Sequence, residues 1–457
     1  MTMDGFTEQS RGNVWQQHKR TLPAFCGGQG NCGRCNVCML TQDTSTMDIL
    51  GVEKDRYDTR MEEHGLGVAV DVGTTTLVIA VIDLQDGYCI RETKVANPQR
   101  KFGPDVLSRI QACTAHGVST LQQMVLQEVE QVVKEQISSG QVIRRMVVCG
   151  NSTMEHIFLG ISPESLSVSP YKCQIENMQV IDSGQLFKDV PGFPVVVLPN
   201  LSAFVGGDIV AGIMAVGLDQ QDHTMLIDLG TNGEMALSHD GIIYTTSTAA
   251  GPAFEGGNML CGVPSIPGAI CHIQMDGEEI EYETIGQSYQ LAGTGLGSKT
   301  SPMGICGSGY MEGISELLIQ GLIDETGHMA QEVEIEGNIR IVPADIRNFQ
   351  LAKAAVRSGI DLLCQRAGVS FAQIEKVYIA GGFGKNSNLA ALTNVKIIPK
   401  EFVAKTTRMG NTALEGAIHM LMDMDLERSA GIKKRSVSMN LAGEEEFTCQ
   451  YMKNMMF

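Results

Sequence analysis

The sequence predicts an α/β protein in which two lobes of similar construction follow a short cysteine-rich segment. The motif Asp-x-Gly-Thr follows an apolar strand at Asp71–Thr74 and again at Asp228–Thr231. From Gly65 onward, strand and helix patterns alternate along the chain. Four cysteines between Cys26 and Cys38 set the N-terminal region apart. These observations indicate an internally duplicated fold joined to a separate N-terminal segment.

The composition is that of a globular protein, with 457 residues of which 43% are hydrophobic and 19% charged. A formal net charge of −18 argues against a nucleic-acid backbone or an anionic membrane as the main partner. The sequence has no uninterrupted apolar run of about 20 residues, the length that a membrane span requires. Asp4, Glu8 and Arg11 interrupt the N-terminus before an apolar run forms, so no secretory signal is predicted. We therefore expect a cytoplasmic protein.

The cysteine-rich segment has the sequence CGGQGNCGRCNVC, in which the cysteines are Cys26, Cys32, Cys35 and Cys38. In a reducing compartment such a cluster favours metal binding over disulfide formation. Thiolates hold iron–sulfur clusters, and the intervening glycines allow the backbone to approach the inorganic sulfides. A zinc site and a loop without metal are the alternatives, although zinc sites usually combine separated Cys-x-x-Cys pairs or add histidines.

The stretch Val68–Leu84 predicts a strand, a tight turn and a second strand. Gly73 permits the turn, the threonines after it present backbone N–H groups and hydroxyls, and Asp71 leads into it. Such a hairpin can wrap a phosphate group while the carboxylate faces a metal ion or its water. An ordinary hairpin turn would have the same local sequence. The return of the pattern at Met225–Leu237 favours two lobes that face one ligand.

The rest of each lobe is predicted from periodicity and from turn residues. In the first lobe we expect strands over Tyr88–Val95, Met146–Cys149 and Val195–Leu198, and helices over Asp105–Ile137, broken near Gly117, and Asp208–Gly217. In the second lobe we expect a loop over Ser247–Gly257, helices over Ile305–Gln320 and Ala344–Cys364, a strand over Lys376–Ala380, and a last helix from Asn411. The strand over Lys376–Ala380 runs into Gly381-Gly382-Phe383-Gly384, where a glycine turn lets backbone lie against a base or ribose.

Three motifs, DVGTTT, DLGTNGE and YIAGGFG, resemble in this order the two phosphate motifs and the adenosine motif of the actin-like (ASKHA) ATPase superfamily. The resemblance implies duplicated ribonuclease H-like lobes and phosphoryl chemistry that depends on positioning and charge neutralisation. By position it assigns Asp71 to Mg²⁺ and its waters, and Asp228 to the attacking water or to Mg²⁺. It further implies phosphate contacts from Gly73, Thr74, Thr75, Gly230, Thr231 and Asn232, and adenosine contacts from Gly381, Gly382 and Gly384.

A narrower resemblance joins the cysteine loop to NPQ (Asn97–Gln99), GNSTM, STAAGPAFEG, GICGSG and AGGFG. This combination is similar to the reductive activators of corrinoid proteins, which couple ATP hydrolysis to one-electron reduction of Co(II) corrinoid to Co(I) in methyltransferase systems. It implies an ATP-hydrolysing electron-transfer activase whose partners are a corrinoid protein and a low-potential electron donor. The alternatives are an activator of the 2-hydroxyacyl-CoA dehydratase type, a small-molecule kinase, and an actin-like nucleotide-dependent scaffold or sensor. The oligomeric state stays open, with a homodimer as one option.

The stretch LPAFCGGQGNCGRCNV also resembles the cluster loop of a 2Fe–2S ferredoxin, which implies Cys26, Cys32 and Cys35 as ligands. In that family a fourth cysteine follows a few dozen residues later, whereas here Cys38 is the local candidate because the next cysteine is Cys89. We favour a 2Fe–2S cluster over a 4Fe–4S cluster or one shared between two chains. The expected domains are a truncated ferredoxin-like iron–sulfur segment (1–45), a linker (46–64), ATPase lobe I (65–218) and ATPase lobe II (219–457).

Overall fold

The computed structural model describes residues 64–277, 279–286, 290–291, 301–384, 387–441 and 443–457. The predicted cluster ligands Cys26, Cys32, Cys35 and Cys38 lie outside the described residues. Within the described ranges, no helix is long and apolar enough to cross a bilayer.

The first sheet has six strands. Their bounds are β1 (Leu66–Val72), β2 (Thr76–Asp83), β3 (Cys89–Ala96), β4 (Ile143–Gly150), β5 (Gln179–Asp182) and β6 (Pro194–Val197). They lie in the order β3-β2-β1-β4-β6-β5. The helices of this half are α1 (Val106–His116), α2 (Val118–Ser138), α3 (Ser152–Phe158) and α4 (Gly207–Val216).

The second half contains another six-stranded sheet and two smaller ones. The strands are β7 (Thr224–Leu229), β8 (Gly233–His239), β9 (Ile242–Thr248), β10 (Ala269–Asp276), β11 (Glu279–Thr284), β12 (Gln290–Leu291), β13 (Gly304–Ile305), β14 (Val333–Glu336), β15 (Ile339–Ile341), β16 (Lys376–Ala380), β17 (Thr406–Arg408) and β18 (Ser436–Met439). The large sheet has the order β17-β16-β7-β8-β9-β18, and the smaller ones are β12-β11-β10-β13 and β14-β15. The helices are α5 (Gly307–Ile319), α6 (Pro343–Ala367), α7 (Gly381–Gly384), α8 (Leu389–Asn394), α9 (Thr412–Asp423), α10 (Leu426–Arg435) and α11 (Glu445–Lys453).

The two large sheets repeat one topology. In the first, β1, β2 and β3 form an antiparallel meander, and β4 and then β6 extend the other edge in parallel. In the second, β7, β8 and β9 form the meander, and β16 and then β17 extend the sheet in parallel. Asp71 and Asp228 occupy equivalent places near the ends of β1 and β7. The predicted duplication is therefore confirmed, and the mixed α/β architecture is that of the expected fold class.

Strand β1 shows why these sequences form central strands. Val68 and Val70 pack into a core beneath α2, whereas Ala69 faces a second core that also contains Leu226 and Ala236 of the other sheet. A strand that is buried on both faces needs apolar residues at nearly every position, which is the pattern that the sequence shows.

Helices α4 and α9 cross at the junction of the lobes with their backbones in close contact. A Cβ atom added at Gly416 of α9 would lie 1.8 Å from the carbonyl oxygen of Ala211 in α4. A Cβ at Gly212 would meet the side chain of Leu226 at 2.9 Å. Glycine at these positions allows one continuous core to join the two sheets.

The expected strands and helices are present, with bounds shifted by a few residues. The expectation that the last helix begins near Asn411 is wrong, because α10 and α11 follow α9. In α10 only Ser429 and Ile432 are buried, and no residue of α11 is. Both segments are rich in charged and polar residues, so the sequence analysis did not identify them as packed helices, although their few apolar residues recur with helical spacing.

The close helix crossing gives a stability prediction. Gly416→Ala is expected to lower the free energy of unfolding by about 1–3 kcal/mol, because the added methyl group must displace backbone. Gly431→Ala in α10 is the matched control, since a Cβ there meets nothing within 4 Å. The control should be neutral or should stabilise the helix by about 0.5–1 kcal/mol. Urea denaturation of both variants measures the difference, and equal stability of Gly416→Ala and the parent would contradict the close crossing.

Candidate functional site

The turn between β1 and β2 is held by a buried asparagine. Asn97 donates through Nδ2 to the carbonyl oxygen of Gly73 at 2.8 Å, and its backbone N–H donates to the carbonyl oxygen of Thr75 at 2.9 Å. The Asn97 side chain is only 1% exposed. A buried amide with satisfied partners fixes the main chain around it. Asn97 thus fixes the main chain at Gly73 and at Thr75, on either side of Thr74.

Thr74 is fixed by two further buried side chains. Arg109 donates through Nη2 to the carbonyl oxygen of Thr74 at 3.3 Å, and Asn151 donates through Nδ2 to Oγ1 of Thr74 at 2.8 Å. Asn151 also caps α3 by accepting a hydrogen bond from the N–H of Met154. Burial lowers the pKa of Arg109 to about 10, so its guanidinium still carries a positive charge at neutral pH. The turn is consequently rigid before any ligand binds.

The turn of the second sheet touches the first one directly. Oγ1 of Thr75 lies 3.1 Å from Oγ1 of Thr231. Both hydroxyls donate to Oε2 of Glu255 at 3.0 Å. Within the second turn, the N–H of Gly230 donates to the carbonyl oxygen of Asn232 at 3.0 Å. Glu255 therefore bridges the two hairpins that the sequence predicted to face one ligand.

Half-buried carboxyl groups lie close together near these turns. Burial raises the pKa of Asp71 to about 6, against the opposing effects of Asn411, which donates from Nδ2 at 2.6 Å, and of Lys94. Burial and the nearby Asp208, Asp71 and Glu255 raise the pKa of Asp228 to about 7.

Two more carboxyl groups belong to this cluster. Asp208, at the start of α4, and Glu234, in β8, share a hydrogen bond, and burial raises the pKa of both. Oε1 of Glu234 is buried and has no hydrogen-bond partner among the described residues. Such an oxygen, next to other carboxylates, fits a site for a hard cation that prefers oxygen ligands.

Gly381 brings the start of α7 against the second hairpin. Its φ is +90°, and an added Cβ would lie 2.6 Å from Oδ1 of Asp228 and 2.5 Å from the carbonyl oxygen of Leu229. Gly384 packs on Ile379, where a Cβ would meet backbone at 3.0 Å, whereas a Cβ at Gly382 would meet nothing within 4 Å. Only glycine fits at Gly381, which agrees with the sequence argument for a glycine turn there.

The structure thus brings the predicted residues of both hairpins together, and it adds five that the sequence analysis did not assign. The added residues are Asn97, Asp208, Glu234, Glu255 and Asn411. Asn97, Glu234 and Glu255 lie inside motifs that the sequence analysis recognised, but it gave these three residues no individual role. The motifs were therefore the signal from which the residues could have been found. Asp208 and Asn411 lie at predicted helix starts, where a polar residue has a local explanation as a cap.

The raised pKa of Asp228 has a consequence for stability. Between pH 4 and 7 the unfolded chain releases this proton and the folded chain retains it, so stability falls as the pH rises through this window. Asp228→Asn removes the charge, and we expect it to exceed the parent in free energy of unfolding by about 1–3 kcal/mol at pH 8 in EDTA. The advantage should shrink towards pH 4.

Urea titrations at pH 4, 6 and 8 measure this dependence. Asp276→Asn is the control, because Asp276 is exposed and should leave the pH profile unchanged. A constant difference between Asp228→Asn and the parent at all three pH values would show that Asp228 titrates normally.

Comparison with known proteins agrees with this arrangement. Residues 222–457 match the family model described as the C-terminal domain of RACo, the ASKHA domain, and residues 66–221 match the RACo middle region. The corrinoid activation enzyme RamQ of Eubacterium limosum is 30% identical over 430 residues, which cover 86% of this chain and 70% of RamQ. The Co(II) methylated amine-specific corrinoid protein reductase of Methanosarcina barkeri is 24% identical over 379 residues, covering 78% of this chain and 70% of the reductase.

A solved structure of a reductive activator for corrinoid, iron–sulfur protein superposes with a TM-score of 0.76 at 29% sequence identity. The match covers 87% of this chain and 67% of that one. The family model and these relatives agree with the resemblance that the motifs carried. The chain therefore belongs to the RACo family of reductive activators of corrinoid proteins, with an ASKHA domain at its C-terminus.

Proposed function

We propose that this protein uses ATP to drive one-electron transfer from an iron–sulfur cluster to the Co(II) corrinoid of a methyltransferase-system corrinoid protein, restoring Co(I). The observation that carries the proposal is the contact of two Asp-x-Gly-Thr hairpins beside a group of half-buried carboxyl groups. A relative with this architecture is named as a Co(II) corrinoid protein reductase. The proposed domains are those expected above, with the cluster in residues 1–45 and the ATPase lobes in 65–218 and 219–457.

In the proposed site, ATP lies between the lobes. Backbone N–H groups and hydroxyls of the two hairpins bind its phosphates, and the glycines of α7 contact its adenosine. Thr75 and Thr231 support this assignment, because their hydroxyls already donate to the anionic side chain of Glu255. A phosphate oxygen accepts the same kind of hydrogen bond, so these hydroxyls can donate to the nucleotide in place of Glu255.

The donor set fits Mg²⁺. Mg²⁺ binds through one or two carboxylates and phosphate oxygens and keeps several waters. Asp71 and Asp228 would hold it or its waters, and the ion would supply charge neutralisation on the phosphates. Alternatively, the carboxylate of Asp228 would orient the attacking water. Burial raises the pKa of Asp71, Asp208 and Asp228, and the charge of Asp71 adds to this effect at the other two, so a bound cation would favour their ionised forms.

Electron delivery is assigned to the N-terminal cysteines. Cys26, Cys32, Cys35 and Cys38 would hold the cluster, which we take as 2Fe–2S and which a low-potential donor reduces. For one electron, each ~59 mV uphill costs a factor of ten in equilibrium. ATP can shift such an equilibrium only through a state that it binds differently. Closure of the lobes on ATP would favour the complex with the Co(II) protein, and hydrolysis would reset it.

The first test concerns hydrolysis. Asp71→Asn and Asp228→Asn keep the side-chain shape and remove a charge near the metal, so each should lose about 3–4 kcal/mol of transition-state stabilisation. The expected slowing of ATP turnover is roughly 10²–10³-fold. Phosphate release by the purified protein measures it, with Asp276→Asn as the control. If Asp228→Asn hydrolysed ATP at the parent rate, the assignment of the hairpins to the catalytic site would be wrong.

The second test concerns reduction. The protein is mixed under strict anoxia with a Co(II) corrinoid protein and a low-potential reductant, with and without ATP. The Co(I) absorption band should appear only with ATP, and Cys35→Ser should abolish it while ATP hydrolysis continues. Equal Co(I) formation without ATP would contradict coupling. ATP hydrolysis with no Co(I) formation under any condition would favour the scaffold or sensor alternative, or a different low-potential metalloenzyme as the target.

A further inference from the structure

We propose that Asp222, His223 and His239 form a binding site for one divalent transition-metal ion of the Zn²⁺ type. The site lies at the end of β7 and β8 that is remote from Asp228, because His223 precedes β7 and His239 ends β8. It shares no residue with the nucleotide site. Its three donor atoms, one from each side chain, all lie within 4.8 Å of one another.

Two donor distances, one to each oxygen of the Asp222 carboxylate, approach those between neighbouring ligands of one ion. Nδ1 of His223 lies 3.5 Å from Oδ2 of Asp222, and Nδ1 of His239 lies 3.8 Å from Oδ1 of Asp222. In tetrahedral zinc sites with Zn–N and Zn–O bonds of about 2.0–2.2 Å, adjacent donors are about 3.3–3.6 Å apart. The two observed gaps are close to this spacing, and the longer one exceeds a hydrogen bond.

An unsatisfied nitrogen points to a missing partner. Nδ1 of His239 is buried and forms no hydrogen bond with any described residue. A buried polar atom without a partner is costly, and a metal ion would satisfy it. The other ring nitrogen, Nε2, lies 3.5 Å from Oδ2 of Asp240. A carboxylate near the second nitrogen is the usual arrangement for a metal-binding histidine, because it orients the ring.

The backbone holds these donors in place without the metal. The carbonyl oxygen of His223 accepts from the N–H of Glu375 at 2.8 Å, which ties the start of β7 to the start of β16. Oδ1 of Asp222 accepts from the N–H groups of His223 at 3.0 Å and Asp240 at 3.1 Å. The carboxylate is therefore already oriented towards both histidines. A site built in this way loses little conformational entropy on binding.

The chemical types of the three donor side chains determine which metal ions the site prefers. Two imidazoles and one carboxylate suit zinc and similar borderline ions, whereas Mg²⁺ and Ca²⁺ prefer oxygen ligands alone. Asp222 is exposed and both histidines are partly so, which leaves a path for the ion and a position for water. A bound ion would join the start of β7 to the β8–β9 turn and stabilise this end of the second sheet.

The test is calorimetric titration of Zn²⁺ into the full-length, cluster-loaded protein, in which the N-terminal thiols are already occupied. The parent should bind one Zn²⁺ that the double variant His223→Gln/His239→Gln does not bind. His116→Gln is the matched control, because His116 is exposed and lies on α1, and it should bind as the parent does. Asp240→Asn should weaken binding by about 10–100-fold, since it removes only the group beside Nε2.

Zinc K-edge absorption of the same samples identifies the ligands. A first shell of nitrogen and oxygen that is lost in the double variant supports the site. A shell of sulfur, or equal Zn²⁺ stoichiometry in the parent and the double variant, would overturn it. Metal-free melting temperatures of the variants and their ATP hydrolysis with Mg²⁺ should equal those of the parent, which shows that any loss of binding is not a loss of fold.

Discussion

The structure depends on one electrostatic constraint, the burial of several carboxyl groups where the two lobes meet. Asp71, Asp208 and Asp228 come from different elements. Burial is the largest cause of their raised pKa values, the charge of Asp71 further raises the pKa of Asp208, and the charges of both raise that of Asp228. Such groups cannot all ionise at low cost unless a cation is present. In the proposed function, a divalent ion that binds together with the phosphates of the nucleotide would supply this positive charge.

Two kinds of hydrogen bond surround this cluster: buried bonds that fix the first hairpin, and bonds between the hairpins that a ligand can replace. The first hairpin is held from behind by Asn97, Arg109 and Asn151, whose partners are buried main-chain and hydroxyl groups. Between the hairpins, the hydroxyl groups of Thr75 and Thr231 share the carboxylate of Glu255. Hydrogen bonds of this second kind can be exchanged for bonds to phosphate without disturbing the first kind. This division allows the site to change its contacts while the hairpin keeps its shape.

The lobes are also connected in two ways, by close helix packing and by a hydrogen bond to a charged group. Helices α4 and α9 share a core through their glycines, and the N-terminal end of α9 presents Asn411 to Asp71. A change in the charge of Asp71 is therefore felt at the start of a helix that packs against the first sheet and against α4, which itself contacts both sheets. In the proposed function, this helix is a physical route by which nucleotide and metal at the hairpins could alter the arrangement of the lobes. In that proposal the electron comes from the donor through the cluster, and ATP acts through a conformational state that it binds differently.

The sequence by itself determined the duplicated hairpins, their glycines and threonines, and most strands and helices. These features depend on local requirements. The tight turn requires glycine at position 73, and a strand covered on both faces requires the apolar run of β1. The close contact at position 381 requires a residue without a Cβ. Only the tertiary structure decided which carboxyl groups meet. Asn411 and Asp71 are 340 residues apart in sequence, and no periodicity relates them. Likewise, His223 and His239 become neighbours only because β7 and β8 pair in antiparallel register. Local sequence patterns indicate how each segment folds. A site whose residues come from distant parts of the chain depends on long-range packing, and such packing leaves no fixed spacing in the sequence.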